Sequence, residues 1–294
     1  MEQFTLDAAK AINTRPPQTY DTIGVAPLTP VIGAEISGVD LREPLSDDDV
    51  AAIRQAWLDH LVLFFRDQHI DDDQQLAFAL RFGPMHVSPL QTVHQDAPEI
   101  VVLDQIHPVG EGADEWHSDN TFLTDPPMGS ILRAVQLPDL GGDTCFASMY
   151  AAYEALSPPM REMLDGLRAV HDITRPLQKA IRDGHSTLDL AETQQKCPPV
   201  EHRVAVTHPE TGRKALFVNR NSTTHLVGVS ERENDLLLPF LLDHVRSPEF
   251  QCRFHWEPGS IAMWDNRSVQ HYAVADYTER RVMRRVTIAG PPAR

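Results

Sequence analysis

The sequence predicts a mainly β chain with bracing helices, arranged as a double-stranded β-helix of the jelly-roll, cupin-like kind. Two observations carry that prediction. Short apolar runs of strand length recur between Gly, Pro and Asp turn residues, and the few stretches at helical spacing begin at capping residues without forming an alternating βα series. With 294 residues, of which 41% are hydrophobic and 23% charged, a single domain can bury a large core. No internal repeat or low-complexity segment divides it.

In chain order, Met1 to Tyr20 lacks an apolar signal core and reads as a flexible N-terminal extension, leaving 21–294 as one domain. Residues 22–45, with Ile32-Gly33-Ala34-Glu35-Ile36, suggest one or two strands. Ser46 and Asp49 form a capping box for a helix to His60, with Val50, Ile53 and Trp57 at helical spacing. Leu61 to Phe65 is a short continuous apolar run, hence a buried strand. A second helix is expected from Asp71 to Phe82, with acids in its first turn and Gly83 as C-cap. Segment 84–114 is loop-rich around the strand Ile100 to Leu103 and holds His86, His94 and His107, each read as a surface or hydrogen-bonded histidine.

Strand Ser130 to Val135 follows the Asp125-Pro126-Pro127 turn, and helices are expected over Ser148–Leu156 and Ser157–Leu167, with Tyr153 packed and Glu154 solvated. From His171 to Val200, polar residues including Lys179, Arg182, Asp183 and His185 show no clear period. This stretch reads as an irregular, mobile lid insert near 171–200. Arg203–Thr207 and Ala215–Val218 flank a hairpin turn. Ser230 opens a helix through Leu242 with Leu236, Leu237, Leu238, Phe240 and Leu241 as core candidates. The final strands are Cys252–Trp256, with His255 outward, Ile261–Trp264 and Val282–Ala289.

The net charge of −16 argues against general affinity for nucleic acid or an anionic membrane, since both demand a basic face. A small anionic substrate must then be held by local arginines. Cys145, Cys197 and Cys252 are few, odd in number and not at metal-ligand spacing, so they read as reduced thiols of a cytoplasmic protein. No stretch is long and apolar enough to span a bilayer.

The chemistry centres on Trp116-His117-Ser118-Asp119-Asn120. In an extended segment His117 and Asp119 project to one side, and His271, after an apolar run far downstream, supplies a third ligand. A 2-His-1-carboxylate set suits Fe(II) and leaves three coordination positions open. Arg281 and Arg285 sit four apart in an alternating stretch and share a face; Thr144 offers a hydroxyl after the Gly141-Gly142 turn. Iron, guanidinium and hydroxyl together meet the needs of 2-oxoglutarate, whose distal carboxylate needs a bidentate cationic partner. A cupin-like metal-binding protein or a zinc hydrolase could use the same three ligands. The first would not need the arginine pair and Thr144, and the second would need a general base that no motif offers.

Taken together, Trp116–Asp119, Gly141–Thr144, Ala152–Ser157, Trp264–Arg267 and Arg281–Arg285 resemble the taurine dioxygenase family of Fe(II)/2-oxoglutarate-dependent dioxygenases. The resemblance runs over nearly the whole chain. It implies the jelly-roll fold, Fe(II), 2-oxoglutarate and O2, and hydroxylation with succinate and CO2 as co-products. It also implies that Thr144 and Arg281 hold the 5-carboxylate of 2-oxoglutarate, and that Arg285 serves its 1-carboxylate and an anionic group of the substrate. A homodimer or homotetramer is the family's common state.

The same resemblance implies a substrate among sulfonates, alkyl sulfate esters and aryloxyalkanoates. Ser88 stands where the taurine enzymes have a sulfonate-binding histidine, Ala113 replaces an asparagine, and Leu177 and Ser222 replace two substrate-facing aromatics. Those four positions, with Gln91, Asn120 and Arg285, form the candidate substrate set. The replacements point to an organic anion larger than taurine.

Overall fold

The computed structural model describes residues 19–89, 99–105, 114–182, 184 and 186–294. Along these, β1 (Gly24–Pro27) and β2 (Ala34–Ser37) lead into α1 (Asp47–His60), β3 (Val62–Phe65), α2 (Asp72–Leu80), β4 (Ile100–Gln105), β5 (Gly129–Gln136) and β6 (Thr144–Ser148). Then come α3 (Met149–Glu154), α4 (Pro158–Asp165), β7 (Arg168–His171), α5 (Thr174–Arg182), α6 (Leu190–Lys196), β8 (Val200–Arg203), β9 (Ala205–Thr207), β10 (Lys214–Leu216) and β11 (Thr223–Val227). The chain closes with α7 (Glu231–His244), β12 (Gln251–Phe254), β13 (Ile261–Asp265), β14 (Val269–Ala273) and β15 (Arg281–Ile288).

Seven strands form the major sheet in the order β1-β2-β3-β13-β5-β15-β4, and β12-β6-β14 form a smaller sheet. Aromatic contacts pack the two together. Phe64 of β3 stacks on Phe254 of β12 at 4.0 Å between ring centroids, and Phe146 of β6 meets Phe64 at 5.6 Å and Trp264 of β13 at 5.7 Å. Each such buried ring contributes roughly 1.5–3 kcal/mol over exposure. Because strand side chains alternate, Leu63 and Phe65 turn to the other face of the major sheet, where they pack with Ile53 and Trp57 of α1 and Phe78 of α2. This is the jelly-roll sandwich braced by helices on one face; its sheets do not close into a barrel.

Local chemistry explains three of the helix starts. Ser46 and Asp49 form the capping box of α1, Asp71 and Gln74 that of α2, and Ser230 and Glu233 that of α7. Several expectations change. Helix α2 stops at Leu80 with Arg81 as its cap, and Gly83 serves close packing instead: a Cβ there would lie 2.7 Å from the Ala289 carbonyl oxygen. Glu154 is no free solvated group, since it pairs with Arg213 at 2.7 Å. On α7 only Leu238 and Leu241 are buried, whereas Leu236 and Phe240 are exposed. The stretch expected to be irregular carries α5 and α6, the latter capped by Asp189. Their apolar positions are few and meet only a small cluster of Phe122, Ile173, Leu177 and Cys197, which is why no period stood out. The three cysteines are free. Among the described residues no helix is long and apolar enough to cross a membrane. Of the residues singled out from the sequence, Gln91, His94, His107, Ala113, Asp183 and His185 lie outside those described, as does 1–18 of the N-terminal extension.

Candidate active site

Two stretches of chain, 117–119 and β14, converge on one point between the sheets. His117 makes a single antiparallel bridge with His271 on β14: His117 N donates to the His271 carbonyl at 3.1 Å and His271 N to the His117 carbonyl at 2.8 Å. This pairing adds a further strand fragment to the smaller sheet and brings the two imidazoles to 4.1 Å between ring centroids. Extended backbone ends there, because Asp119 lies in a turn and Asn120 is left-handed at φ 53°. The carboxylate nevertheless meets both rings: Asp119 Oδ1 lies 3.9 Å from His117 Nε2 and 4.0 Å from His271 Nε2. Among the described residues this is the one group of potential metal ligands, its atoms within 4.8 Å of one another.

The protonation states suit a cation. Burial pushes the His117 imidazole below its ordinary pKa, and burial beside His117 and Arg285 brings His271 down to about 3, so both rings are neutral and present lone pairs. Burial alone would raise the Asp119 pKa. The charge of Arg285 and a hydrogen bond from Ser130 outweigh it and hold the carboxyl well below the usual range. Arg285 Nη1 donates to Oδ1 at 2.7 Å and Ser130 Oγ to Oδ2 at 2.8 Å. His117 Nδ1 meets the Glu115 carbonyl at 2.7 Å, which selects the tautomer that leaves Nε2 free for a metal.

These groups line a cavity of about 230 Å³ together with Thr144, Arg281, Arg285 and Trp264. Arg281 is 3% exposed, yet its Nε and Nη2 have no hydrogen-bond partner among the described residues. Its guanidinium lies 5.9 Å from the centroids of both Trp256 and Tyr277, and burial pushes its pKa below the ordinary arginine value. Thr144 Oγ1 accepts from Trp256 Nε1 at 3.0 Å, so the hydroxyl keeps its own hydrogen to donate into the cavity. Gly142, at φ +73°, allows this approach, since a Cβ there would meet Arg281 Cδ at 3.2 Å. A pair of unsatisfied N–H groups beside an oriented O–H fits a carboxylate.

The structure sorts the candidate substrate residues. Asn120, Ser222 and Arg285 lie on the cavity wall. Ser88 is half-buried and does not line it. Leu177 sits behind the wall in the cluster with Phe122 and Cys197, and Ile173 and Pro176 take its place facing the cavity. The short helix that carries Pro176 near its start turns different residues inward than residue matching alone suggests. Sequence reasoning missed Trp256, Gln105, Phe122, Ile173 and Ser130. Only Trp256 carried a signal, a tryptophan just before a Glu-Pro-Gly turn in a strand hairpin; the others are ordinary apolar or polar positions brought to the cavity or to Asp119 by long-range packing.

Comparison with known proteins agrees with this geometry. Over residues 24–287 the chain matches the family model "Taurine catabolism dioxygenase TauD, TfdA family". It is 39% identical to an alkylsulfatase of Acinetobacter baylyi, covering 90% of this chain and 84% of that protein, and 38% identical to an alpha-ketoglutarate-dependent sulfate ester dioxygenase of Pseudomonas putida, covering 91% and 90%. Among solved structures, a taurine dioxygenase from Burkholderia xenovorans superposes with a TM-score of 0.80 at 36% identity over 93% of each chain. AAD-2 in complex with Mn(II) and N-oxalylglycine gives 0.78 at 32% identity, covering 93% of this chain and 100% of that one. With the ligand cluster, the cavity and this match all spanning the same sheets, the chain belongs to the taurine catabolism dioxygenase TauD, TfdA family.

Proposed function

We propose that the chain is an Fe(II)- and 2-oxoglutarate-dependent dioxygenase that hydroxylates a small organic anion, an alkyl sulfate ester or an aryloxyalkanoate in preference to taurine. The observation that carries this reading is the pairing of two sites in one cavity: a His117-Asp119-His271 ligand set, and a buried Arg281 whose Nε and Nη2 have no hydrogen-bond partner among the described residues, with the Thr144 hydroxyl on the same wall. A metal-binding protein or a zinc hydrolase would need only the first. Relatives named for alpha-ketoglutarate dependence and for sulfate ester and 2,4-dichlorophenoxyacetate substrates support the same choice.

His117, Asp119 and His271 would hold the iron, which, when bound, supplies the redox chemistry that couples oxidative decarboxylation of 2-oxoglutarate to hydroxylation of a C–H bond by O2, releasing succinate and CO2. The chain's own residues prepare for that. Neutral imidazoles and an ionised carboxylate form the seat, Ser130 and Arg285 fix the carboxylate's rotation, and Thr144 with Arg281 bind and orient the distal carboxylate of 2-oxoglutarate. Arg285, whose Nε is also without a partner among the described residues, faces the anionic groups near the metal. Leu132, Phe122, Ile173 and Pro176 give the cavity an apolar wall that excludes water and receives the organic part of the substrate. Hydroxylation at a carbon bonded to oxygen gives a product that collapses to a carbonyl compound plus sulfate or an alcohol.

Three free cysteines suit a reducing compartment, and a cytoplasmic homodimer or homotetramer completes the reading. The test is anaerobic titration with Fe(II) and 2-oxoglutarate, followed by turnover with alkyl sulfates, aryloxyalkanoates and taurine. A visible charge-transfer band requiring both ligands, absent in His117→Ala, together with succinate formed in step with an aldehyde or ketone, is expected. Turnover of taurine alone would overturn the substrate class, and no band would overturn the 2-oxoglutarate chemistry.

A further inference from the structure

The turn that joins β13 to β14 carries Asn266, a residue that does not line the cavity of the ligand cluster but reaches that cluster from behind. Its side chain is 1% exposed and makes contacts on both sides of one residue. Asn266 Oδ1 accepts from Asp119 N at 2.6 Å, and its Nδ2 donates to the Asp119 carbonyl at 2.9 Å and to the Pro127 carbonyl at 3.1 Å. One amide thus engages both backbone groups of the carboxylate-bearing residue, as a neighbouring strand would in a sheet. No strand does so here, because extended pairing ends at His117 and the chain turns at Asn120.

The geometry points to Asn266 as the positioning residue for the carboxylate ligand. His117 and His271 locate each other through their own backbone bridge, so two of the three ligands share a ladder. Asp119 lies past its end. Asn266 replaces the missing ladder bonds and ties Asp119 to the strand that carries His271. Ser130 and Arg285 then set the rotation of a side chain whose root is already located.

The turn is itself immobilised. Asp265 and Arg267 form a buried pair at 2.6 Å, His208 Nε2 reaches Asp265 Oδ2 at 3.0 Å, Glu210 takes Arg267 Nη1 at 2.8 Å, and Asn266 N donates to the Met128 carbonyl at 2.9 Å. A turn braced internally and anchored by three outside groups can fix what it holds to within the tolerance a metal site needs. The Trp264-Asp265-Asn266-Arg267 stretch is therefore part of the metal seat, although none of its members except Trp264 lines the cavity.

This rests on the reading of His117, Asp119 and His271 as metal ligands, and the test separates the two. The parent chain, Asn266→Ala, Asn266→Asp and Gln68→Ala are stripped of metal and titrated with Co(II), reading the visible d–d bands, while thermal melts report the folded fraction. Gln68 is the matched control: its amide also accepts one backbone N–H, from Leu41 at 2.7 Å, and donates to carbonyls of Val39 and Arg66, away from the cavity. At a temperature where each variant is folded, Co(II) affinity should fall at least about 10-fold in the Asn266 variants and stay within about 2-fold of the parent in Gln68→Ala. The d–d bands of whatever complex the Asn266 variants form should also shift. Should Asn266→Ala fail to fold, Asn266→Asp, which keeps the acceptor for Asp119 N–H, carries the test. Asn266 variants that bind Co(II) as the parent does would overturn the positioning role alone. A parent that binds no Co(II) would overturn the metal reading, and the positioning role with it.

Discussion

Two arginines of this chain are buried to the same degree, 3% exposed each, and they meet opposite fates. Arg267 is enclosed by carboxylates: bidentate contacts to Asp265 at 2.9 and 2.6 Å and one to Glu210 at 2.8 Å. Burial alone would lower its pKa, but those partners more than reverse the effect. Arg281 has no carboxylate at ion-pair distance among the described residues, and its guanidinium rests between the rings of Trp256 and Tyr277. Burial dominates there and the pKa falls. Buried polar groups are ordinarily satisfied, so the contrast supports the proposal that Arg267 serves the architecture and Arg281 an anion.

The sharpest way to break this contrast is to remove each guanidinium. Arg267→Leu takes the guanidinium from buried Asp265, leaving it only His208 at 3.0 Å, and should cost about 3–5 kcal/mol of stability, measured by chemical denaturation. Arg281→Leu should leave stability unchanged or higher, since it deletes an uncompensated buried charge. It should weaken 2-oxoglutarate binding by about 2–5 kcal/mol, roughly 30-fold or more, read as a rise in KM for that co-substrate. If Arg281→Leu destabilised the protein as Arg267→Leu does, the distinction between the two sites would fail.

A buried imidazole has an option closed to either arginine, because it can shed its proton. His171 is fully buried, within 3.0 Å of the Thr121 hydroxyl, and burial beside His202 brings its pKa down to about 3. A folded-state value below the unfolded one near 6.5 means that stability is fully present above pH 6.5 and is lost as pH falls from there toward 3. The loss approaches about 1.4 kcal/mol per pH unit for each such group. Denaturation at pH 7 and pH 5 should therefore differ by about 2 kcal/mol on account of His171, and His171→Gln should reduce that difference. The depressed aspartates Asp119 and Asp265 keep their contribution down to about their ordinary value of 3.8 and lose it below, and Glu210 and Glu233 lose theirs below 4.5, so the comparison of pH 7 with pH 5 reports mainly on the histidines.

How much of the site could be read in advance follows the range of the interaction. His117, Asp119 and His271 were legible because a metal needs particular donor atoms, and few residue types supply them. Arg281 and Thr144 were singled out because a dicarboxylate would need a cation and a hydroxyl near that metal, and both line the cavity of the ligand set. Leu177 was misplaced because a short helix can turn either of two neighbouring residues inward, and only its packing against Phe122 and Cys197 decides which. Leu236 and Phe240 fit a helical apolar face, yet the helix is buried along a stripe narrower than its apolar surface.

By itself the sequence determined what depends on a few neighbouring residues or on chemical identity: the capped starts of α1, α2 and α7, the short apolar strands, the ligand types and the acidic balance. Tertiary structure alone decided the backbone bridge between His117 and His271, the hold of Asn266 on Asp119, the bond from Trp256 that orients Thr144, and which of two buried arginines is left without a carboxylate. The reason is physical. Capping and alternation are settled within one or two turns of chain, whereas hydrogen-bond satisfaction in the core depends on which distant strands the sheet order makes neighbours.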